Sequence, residues 1–304
     1  PHWQLGRSKL AMGSLYVCAA DHPCLLAGGQ FAPEQLTILP VLPSGELALA
    51  ELEAALAAHD KSSGLPLVAV HHANNETGVI QPIVAIASIV KAHGGILVVD
   101  AVQSIGRIPL DISDTCGDFF IVSSHKIGGP KGAGAIIGVT DLMMPVSVLR
   151  GGGQEKGRRS GTEPLPAIAG FGAAAGLVRE RLARSGELAM KRDRIEAIVT
   201  SAAPDCDFRC GSTAARLPNT SFFSIPGMRA ETMQIAFDLA GVAVSAGSAC
   251  SSGKVGLSHV LKAMGVENDL GAIRVSVMLE TTDEDIERFE RAFGGIVSRR
   301  KNQT

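Results

Sequence analysis

The sequence predicts an α/β fold in which helices cover a mostly parallel sheet. Short apolar runs alternate with helical stretches along the first half of the chain, a pattern typical of parallel strands joined by right-handed crossovers. The chain also contains 35 glycines and many small apolar residues, as expected where helices pack on a buried sheet. A length of 304 residues allows two domains of ordinary size.

The first predicted domain is a large one that covers residues 1–163. Its helices are predicted at 47–58 and 82–93, and the second begins with proline in its first turn and ends before two glycines. Its strands are the apolar runs at 15–17, 36–39, 67–70, 96–99, 119–122 and 134–138.

The second predicted domain, residues 164–304, is a smaller C-terminal α/β unit that opens with a linking helix at 164–183. A capping box at 281–284 begins a last helix that runs to about residue 293. Between them the sequence predicts strands at 220–224, 242–245 and 273–277 and a helix at 230–239.

Composition argues against several classes of function. The net charge of −2 indicates neither a nucleic-acid-binding nor a membrane-binding surface, and no apolar run is long enough to span a bilayer. The six cysteines lack the spacing of a zinc site or a disulfide framework, so we expect a reduced, cytoplasmic location. His71 and His72 point to opposite faces of a strand, which disfavours a metal site.

Chemically active side chains follow two neighbouring predicted strands. Asp100 ends one apolar run, and Lys126 lies just after the next. Ligands bind at the carboxyl ends of strands in such sheets, and an amine beside a carboxylate is what pyridoxal phosphate (PLP) requires. The amine forms a Schiff base, and the carboxylate keeps the pyridine nitrogen protonated. Singly these residues could be a turn residue and a solvated charge, but with Gln103 and His125 they favour a PLP site.

Further motifs follow in a fixed order along the chain, at 21–23, 73–78, 151–155, 159–162, 245–253 and 273–276. Together with the motifs around Asp100 and Lys126, they resemble those of the cysteine desulfurases of the NifS/IscS family. These are relatives of the class V aminotransferases with the fold-type I architecture of PLP-dependent transferases. The resemblance covers residues 15–293.

The resemblance implies how PLP is held. Lys126 is the Schiff-base lysine, Asp100 faces the pyridine nitrogen, and His22 stacks on the ring. Residues from both subunits of a homodimer bind the phosphate. The implied cofactor contacts are Asp100, Gln103, Asn75, Ser123, His125, Lys126 and, across the dimer interface, Thr162.

The resemblance also implies the reaction. Arg274 binds the carboxylate of the substrate L-cysteine through its planar guanidinium, and Asn75 contributes to substrate binding. Cys250, in a loop rich in serine and glycine, attacks the substrate sulfur, keeps it as a persulfide and releases L-alanine. The sulfur then passes to an acceptor protein, for example an iron–sulfur scaffold.

Two alternatives remain open. One is a selenocysteine lyase or another class V PLP enzyme. The presence of Cys250 favours sulfur transfer over this alternative. The other is a non-catalytic, truncated relic that keeps the dimer and partner surfaces, against which Lys126, Asp100, Cys250 and Arg274 argue.

One departure from the family lies at the start of the sequence. Family members carry a longer segment before the histidine that corresponds to His22, including a loop at a helix N-terminus that cradles the cofactor phosphate. Residues 1–12 contain no equivalent. We therefore expect an N-terminally shortened large domain that binds PLP more weakly than its relatives do.

Overall fold

The computed structural model describes residues 1–115, 117–209, 214–246, 258–267 and 270–301. The chain divides into two compact units. The first comprises residues 1–40, 47–72 and 81–179, and the second comprises 41–46, 73–80 and 180–304. Two short stretches of the N-terminal half thus belong to the second unit. The domain boundary predicted after residue 163 stays a prediction.

The first unit is built on one mixed sheet. Among the described residues its strands follow the order β7-β6-β5-β4-β2-β1-β8, with β3 also paired to β2. The strands are β1 His2–Leu5, β2 Ser8–Cys18, β3 Leu36–Leu39, β4 Leu65–His71, β5 Ile96–Asp100, β6 Phe119–Ser123, β7 Gly134–Gly138 and β8 Met143–Pro145.

The middle of this sheet is parallel, as the alternating pattern predicts. β3, β2, β4, β5 and β6 pair in parallel, whereas β7 joins β6 antiparallel and β1 lies antiparallel between β2 and β8. The predicted α/β architecture with a mostly parallel central sheet is confirmed. The sequence predicted only residues 15–17 of β2, because its first residues are polar and exposed.

Apolar residues from both faces of the sheet form the core of this unit. Trp3 of β1 packs edge-on against Phe119 of β6, with ring centroids 4.6 Å apart. On the helices, Leu52 and Ile86 are fully buried. The helices of the first unit are α1 Pro23–Leu26, α2 Leu49–Ala57, α3 Ile83–Ala92, α4 Ile112–Thr115, the short turn α5 Gln154–Gly157 and α6 Leu165–Gly176.

The second unit has a smaller antiparallel sheet in the order β11-β12-β10-β9. Its core includes a stack of Phe237, Phe289 and Phe293, with neighbouring ring centroids 5.3 to 6.1 Å apart. The strands are β9 Asp207–Phe208, β10 Thr220–Ser224, β11 Ser245–Ala246 and β12 Ile273–Ser276, and the helices are α8 Ser185–Ala202, α9 Ala230–Leu239, α10 His259–Ala263 and α11 Asp283–Lys301.

The linking helix predicted at 164–183 is not continuous. α6 ends at Gly176, and α7, Val178–Ala183, follows before α8 begins at Ser185. None of the helices in the described ranges is long and apolar enough to cross a membrane.

Candidate active site

The carboxyl ends of four neighbouring strands bring polar residues to one edge of the first unit's sheet. Asp21 and His22 follow β2, His71 ends β4, Asp100 ends β5, and the turn Ser124–Lys126 follows β6. In the β4–β5 pair, His71 is the residue directly opposite Asp100. The parallel pairing therefore brings His22, Asp100 and the residues around Lys126 to the same edge.

Asp100 is a buried carboxylate with little around it to offset the cost of burying its charge. Its Oδ1 accepts a hydrogen bond from the backbone N–H of Val102 at 2.9 Å, and burial raises the pKa of the carboxyl. Within the described part of the chain it makes no ion pair. Such a group is stabilised by a cation, and the protonated pyridine nitrogen of PLP is one, so this residue fits the implied cofactor.

His22 lies close enough to Asp100 to act on it electrostatically. Burial is the main influence on the pKa of Asp100, and a charge on the His22 ring would lower that pKa by less than burial raises it. His22 is also the N-cap of α1, and its Nδ1 accepts a hydrogen bond from the backbone N–H of Cys24 at 3.2 Å. The helix cap thus fixes the ring near Asp100, as a ring-stacking role requires.

Arg107 connects the Gln103 turn to the Lys126 turn. Its Nη1 donates to the backbone carbonyl of Gln103 at 2.6 Å and to Oε1 at 3.3 Å, and its Nη2 donates to the carbonyl of Lys126 at 3.2 Å. Sequence analysis missed this residue. The signal was the i, i+4 spacing of Gln103 and Arg107, which places both on one face of a helical turn.

Ser123 and His125 lie together at the end of β6. Ser123 Oγ and His125 Nδ1 are 2.9 Å apart. The pKa of His125 is lowered by desolvation and by the charges of Lys126 and Lys131. A phosphate would meet a hydroxyl, an imidazole and nearby positive charge here, which fits the predicted role. Thr162, the predicted contact across the dimer interface, lies in an exposed segment of this unit.

A buried network that sequence analysis did not foresee lies next to these groups. The Asp21 carboxylate accepts the backbone N–H groups of Cys18 at 2.7 Å and His71 at 2.8 Å, and also His71 Nδ1–H at 2.5 Å. Gln81 Nε2 donates to His71 Nε2 at 3.1 Å, and Gln81 Oε1 accepts the N–H of Leu47 at 2.8 Å. The network fixes the ends of β2 and β4 relative to each other.

The same residues include a potential metal-ligand cluster. Ligand atoms of Cys18, Asp21 and His71 lie within 4.8 Å of one another. Both ring nitrogens of His71 are already hydrogen-bonded, and burial raises the pKa of the Cys18 thiol, which disfavours the thiolate that metals bind. We interpret the cluster as a hydrogen-bond network.

His72 is the second unforeseen group. Its backbone N–H donates to the carbonyl of Asp100 at 2.8 Å, and burial lowers the pKa of its imidazole to about 4. Its Nδ1 is buried without a hydrogen-bond partner among the described residues. The ring is therefore neutral at physiological pH and adds no positive charge beside Asp100.

In the second unit, Arg274 occupies the middle of β12. Its Nη1 donates to the carbonyl of Asn75 at 2.5 Å and its Nη2 donates to Ser245 Oγ at 3.2 Å. Its Nε is buried without a partner, and no carboxylate in the described ranges forms an ion pair with it. A guanidinium with an unused, desolvated donor is suited to an anionic ligand.

The predicted nucleophile Cys250 lies outside the described residues. β11 ends at Ala246 before it, and Ser258 caps α10 after it. The predicted contacts of the Asn75 side chain also stay predictions, since Asn75 belongs to the second unit and Asp100 to the first.

Comparison with known proteins supports the sequence-based resemblance. The Aminotransferase class-V family matches residues 7–289. A cysteine desulfurase from Nostoc sp. is 39% identical over 289 residues, covering 92% of this chain and 70% of that protein. The structure of a NifS-like protein from Rickettsia africae superposes with a TM-score of 0.82 at 34% identity, covering 94% of this chain and 76% of the other. The structure described as SspA in complex with cysteine gives 0.69 at 27% identity, covering 88% and 74%.

The fold and the strand-end site define a fold-type I enzyme of the class-V aminotransferase group. Within that group, the chain belongs to the cysteine desulfurase family. The chain is an enzyme of the cysteine desulfurase kind, and this family depends on PLP.

Proposed function

We propose that the chain is a PLP-dependent cysteine desulfurase that converts L-cysteine into L-alanine and keeps the sulfur as a persulfide on Cys250. The observation that carries the proposal is the buried carboxylate of Asp100, which forms no ion pair among the described residues, at the end of the strand next to the one that Lys126 follows. The similarity to cysteine desulfurases and to SspA, whose structure contains cysteine, supports the choice of substrate.

The residues of the first unit that would hold PLP include three at or next to these strand ends. Asp100 would keep the ring nitrogen protonated, Lys126 would anchor the aldehyde carbon, and His22 would cover one face of the ring. When bound, PLP supplies an electron sink that stabilises negative charge at the substrate Cα. The remaining contacts are Gln103 and Asn75 at the phenolic oxygen, Ser123 and His125 at the phosphate, and Thr162 at the phosphate of a partner subunit.

The chain's own groups carry out the sulfur transfer. Arg274 binds the substrate carboxylate, and the Lys126 amine moves the proton at Cα. The Cys250 thiolate attacks the substrate sulfur, so that a sulfur–sulfur bond forms as the carbon–sulfur bond breaks. The electron pair of the broken bond stays with the carbon, which is protonated to give alanine.

The Asp100→Asn variant should be more stable than the wild type when PLP is absent. Because burial raises the folded-state pKa of Asp100 above its unfolded value of about 3.9, the ionised carboxylate destabilises the folded state at neutral pH. Asparagine keeps the acceptor for Val102 without the charge. At pH 7 we expect a higher Tm, by about 2–4 °C for each kcal/mol of penalty removed, and the difference should shrink towards pH 4.

Adding PLP should reverse the order of the two melting temperatures, because the pyridine nitrogen gives the wild-type carboxylate a counter-charge. A lower Tm for cofactor-free Asp100→Asn than for wild type at pH 7 would contradict this account of Asp100.

The Arg274→Ala variant should lose affinity for cysteine while retaining PLP. Removing one partner of a desolvated, bidentate charge pair costs about 2–5 kcal/mol, so we expect KM to rise by at least thirtyfold. Steady-state alanine formation measures this change. Arg300→Ala, which removes a surface ion pair with Asp205 in the same unit, is the matched control. An unchanged KM in Arg274→Ala would refute the carboxylate-binding role.

We also infer that the enzyme works as a homodimer in the cytoplasm and passes its sulfur to an acceptor protein such as an iron–sulfur scaffold. Helix α6 supports the dimer, since it carries no charged side chain and leaves Leu165 69% exposed. Val148 and Leu149, in the same unit, are each 71% exposed. Apolar surface of this kind is typical of subunit interfaces.

A further inference from the structure

Residues 73–80 form a tightly determined turn within the second unit. Asn74 Oδ1 accepts the backbone N–H groups of Glu76 at 2.9 Å and Thr77 at 3.0 Å. A bridge between Ala73 and Ile80 closes the turn. The side-chain acceptor and the bridge define the shape of the turn.

Backbone contacts also attach this turn to residues 215–217. The N–H of Ile80 donates to the carbonyl of Ala215 and that of Leu217 to the carbonyl of Gly78, each at 2.8 Å. Gly78 has φ of +76°, and a Cβ there would lie 3.2 Å from Thr220 Cβ. These contacts attach the C-terminal half of the turn to the rest of the unit, and a further contact attaches the N-terminal half.

Glu76 provides that further contact. It is only 2% exposed, and its Oε2 accepts a hydrogen bond from Ser258 Oγ at 2.6 Å. Ser258 Oγ also caps helix α10 by accepting the N–H of Leu261 at 3.1 Å. No lysine, arginine or histidine in the described part of the chain forms an ion pair with Glu76. The hydrogen bond from Ser258 gives this buried side chain the polar partner that a buried polar group requires.

We propose that Glu76 is a positioning residue for Arg274. The inference rests on the proposed function, in which Arg274 binds the substrate carboxylate. Asn75, directly before Glu76, uses its carbonyl to hold Arg274 Nη1 at 2.5 Å. The Glu76–Ser258 contact helps to fix this carbonyl, the carbonyl orients the guanidinium, and the buried Nε is left without a hydrogen-bond partner among the described residues. A guanidinium oriented in advance loses less conformational freedom when it binds its ligand.

The test compares two ligands that differ in the carboxylate. L-cysteine has it, and cysteamine keeps the amine and the thiol without it. Both are titrated into the PLP-loaded Cys250→Ala protein and followed by the visible absorbance of the cofactor. When the Glu76→Ala substitution is also made in this protein, cysteine binding should weaken by roughly tenfold, the cost of one buried hydrogen bond to a charged group. Cysteamine binding should stay unchanged.

Two variants separate positioning from a general loss of structure. Glu76→Gln keeps an acceptor for Ser258 and should restore most of the affinity for cysteine. Glu290→Ala, at an exposed position on α11, should change the affinity for neither ligand. If Glu76→Ala lowers the Tm too far for titration, Ser258→Ala removes the same contact and should give the same selective loss.

A protein that already carries Arg274→Ala separates the positioning role of Glu76 from the proposed role of Arg274. In that protein, Glu76→Ala should have no further effect on the affinity for cysteine. Equal losses for both ligands, or no loss for cysteine, would overturn the positioning role of Glu76 and leave the function of Arg274 intact. If Arg274→Ala weakens the binding of cysteine no more than it weakens the binding of cysteamine, both proposals are overturned.

Discussion

Lys126→Ala should abolish the covalent attachment of PLP and lower desulfurase turnover by about a thousandfold or more, since it removes both the anchoring amine and the group that moves the Cα proton. PLP should still bind reversibly, because Asp100, Ser123 and His125 remain. Borohydride reduction followed by peptide mass spectrometry measures the attachment directly.

Lys91→Ala is the matched control for this experiment. Lys91 is exposed on α3 of the same unit, so its removal should leave attachment at Lys126 and turnover unchanged. If the Lys126→Ala protein is still reduced onto the cofactor, with the label on Lys131 or another lysine, the assignment of Lys126 is wrong.

Cys250→Ala should block sulfur transfer without affecting the earlier steps. The thiol acts only once the substrate is bound and activated. The variant should therefore retain PLP and change its visible spectrum when cysteine is added, while sulfide release with a reductant falls to background, a loss of at least about a hundredfold.

Cys206→Ala is the control for the loss of a thiol in the same unit. Cys206 is partly buried and its pKa is raised by that burial, so it is a poor nucleophile at neutral pH. Sulfide release should survive its removal. Undiminished release from Cys250→Ala would mean that another group receives the sulfur.

The strand ends are the part of this molecule that the sequence predicts best. A continuous apolar run followed by Asp100, and another followed by Ser123–Lys126, indicate both a buried strand and the edge at which its ligands lie. The structure brings these groups to one edge because β5 and β6 are parallel neighbours. Local sequence suffices here, since each signal spans only a few residues.

Other features depend on contacts that local sequence does not encode. The hydrogen bond between Glu76 and Ser258 joins residues 182 positions apart, and that between His71 and Asp21 joins residues 50 apart. β1 is short, and its pairing between β2 and β8 has no local signal. The break after Gly176 is equally hard to foresee, because its neighbours are good helix formers.

One single-turnover experiment tests the central claim most directly. The PLP-loaded wild-type chain is mixed, without reductant, with cysteine that carries radioactive sulfur, and alanine and protein-bound sulfur are counted. The account predicts equal amounts of alanine and protein-bound label, with the label on the Cys250 peptide and released by a thiol reductant. Alanine formed without label on Cys250, or no alanine from protein saturated with PLP, would contradict it.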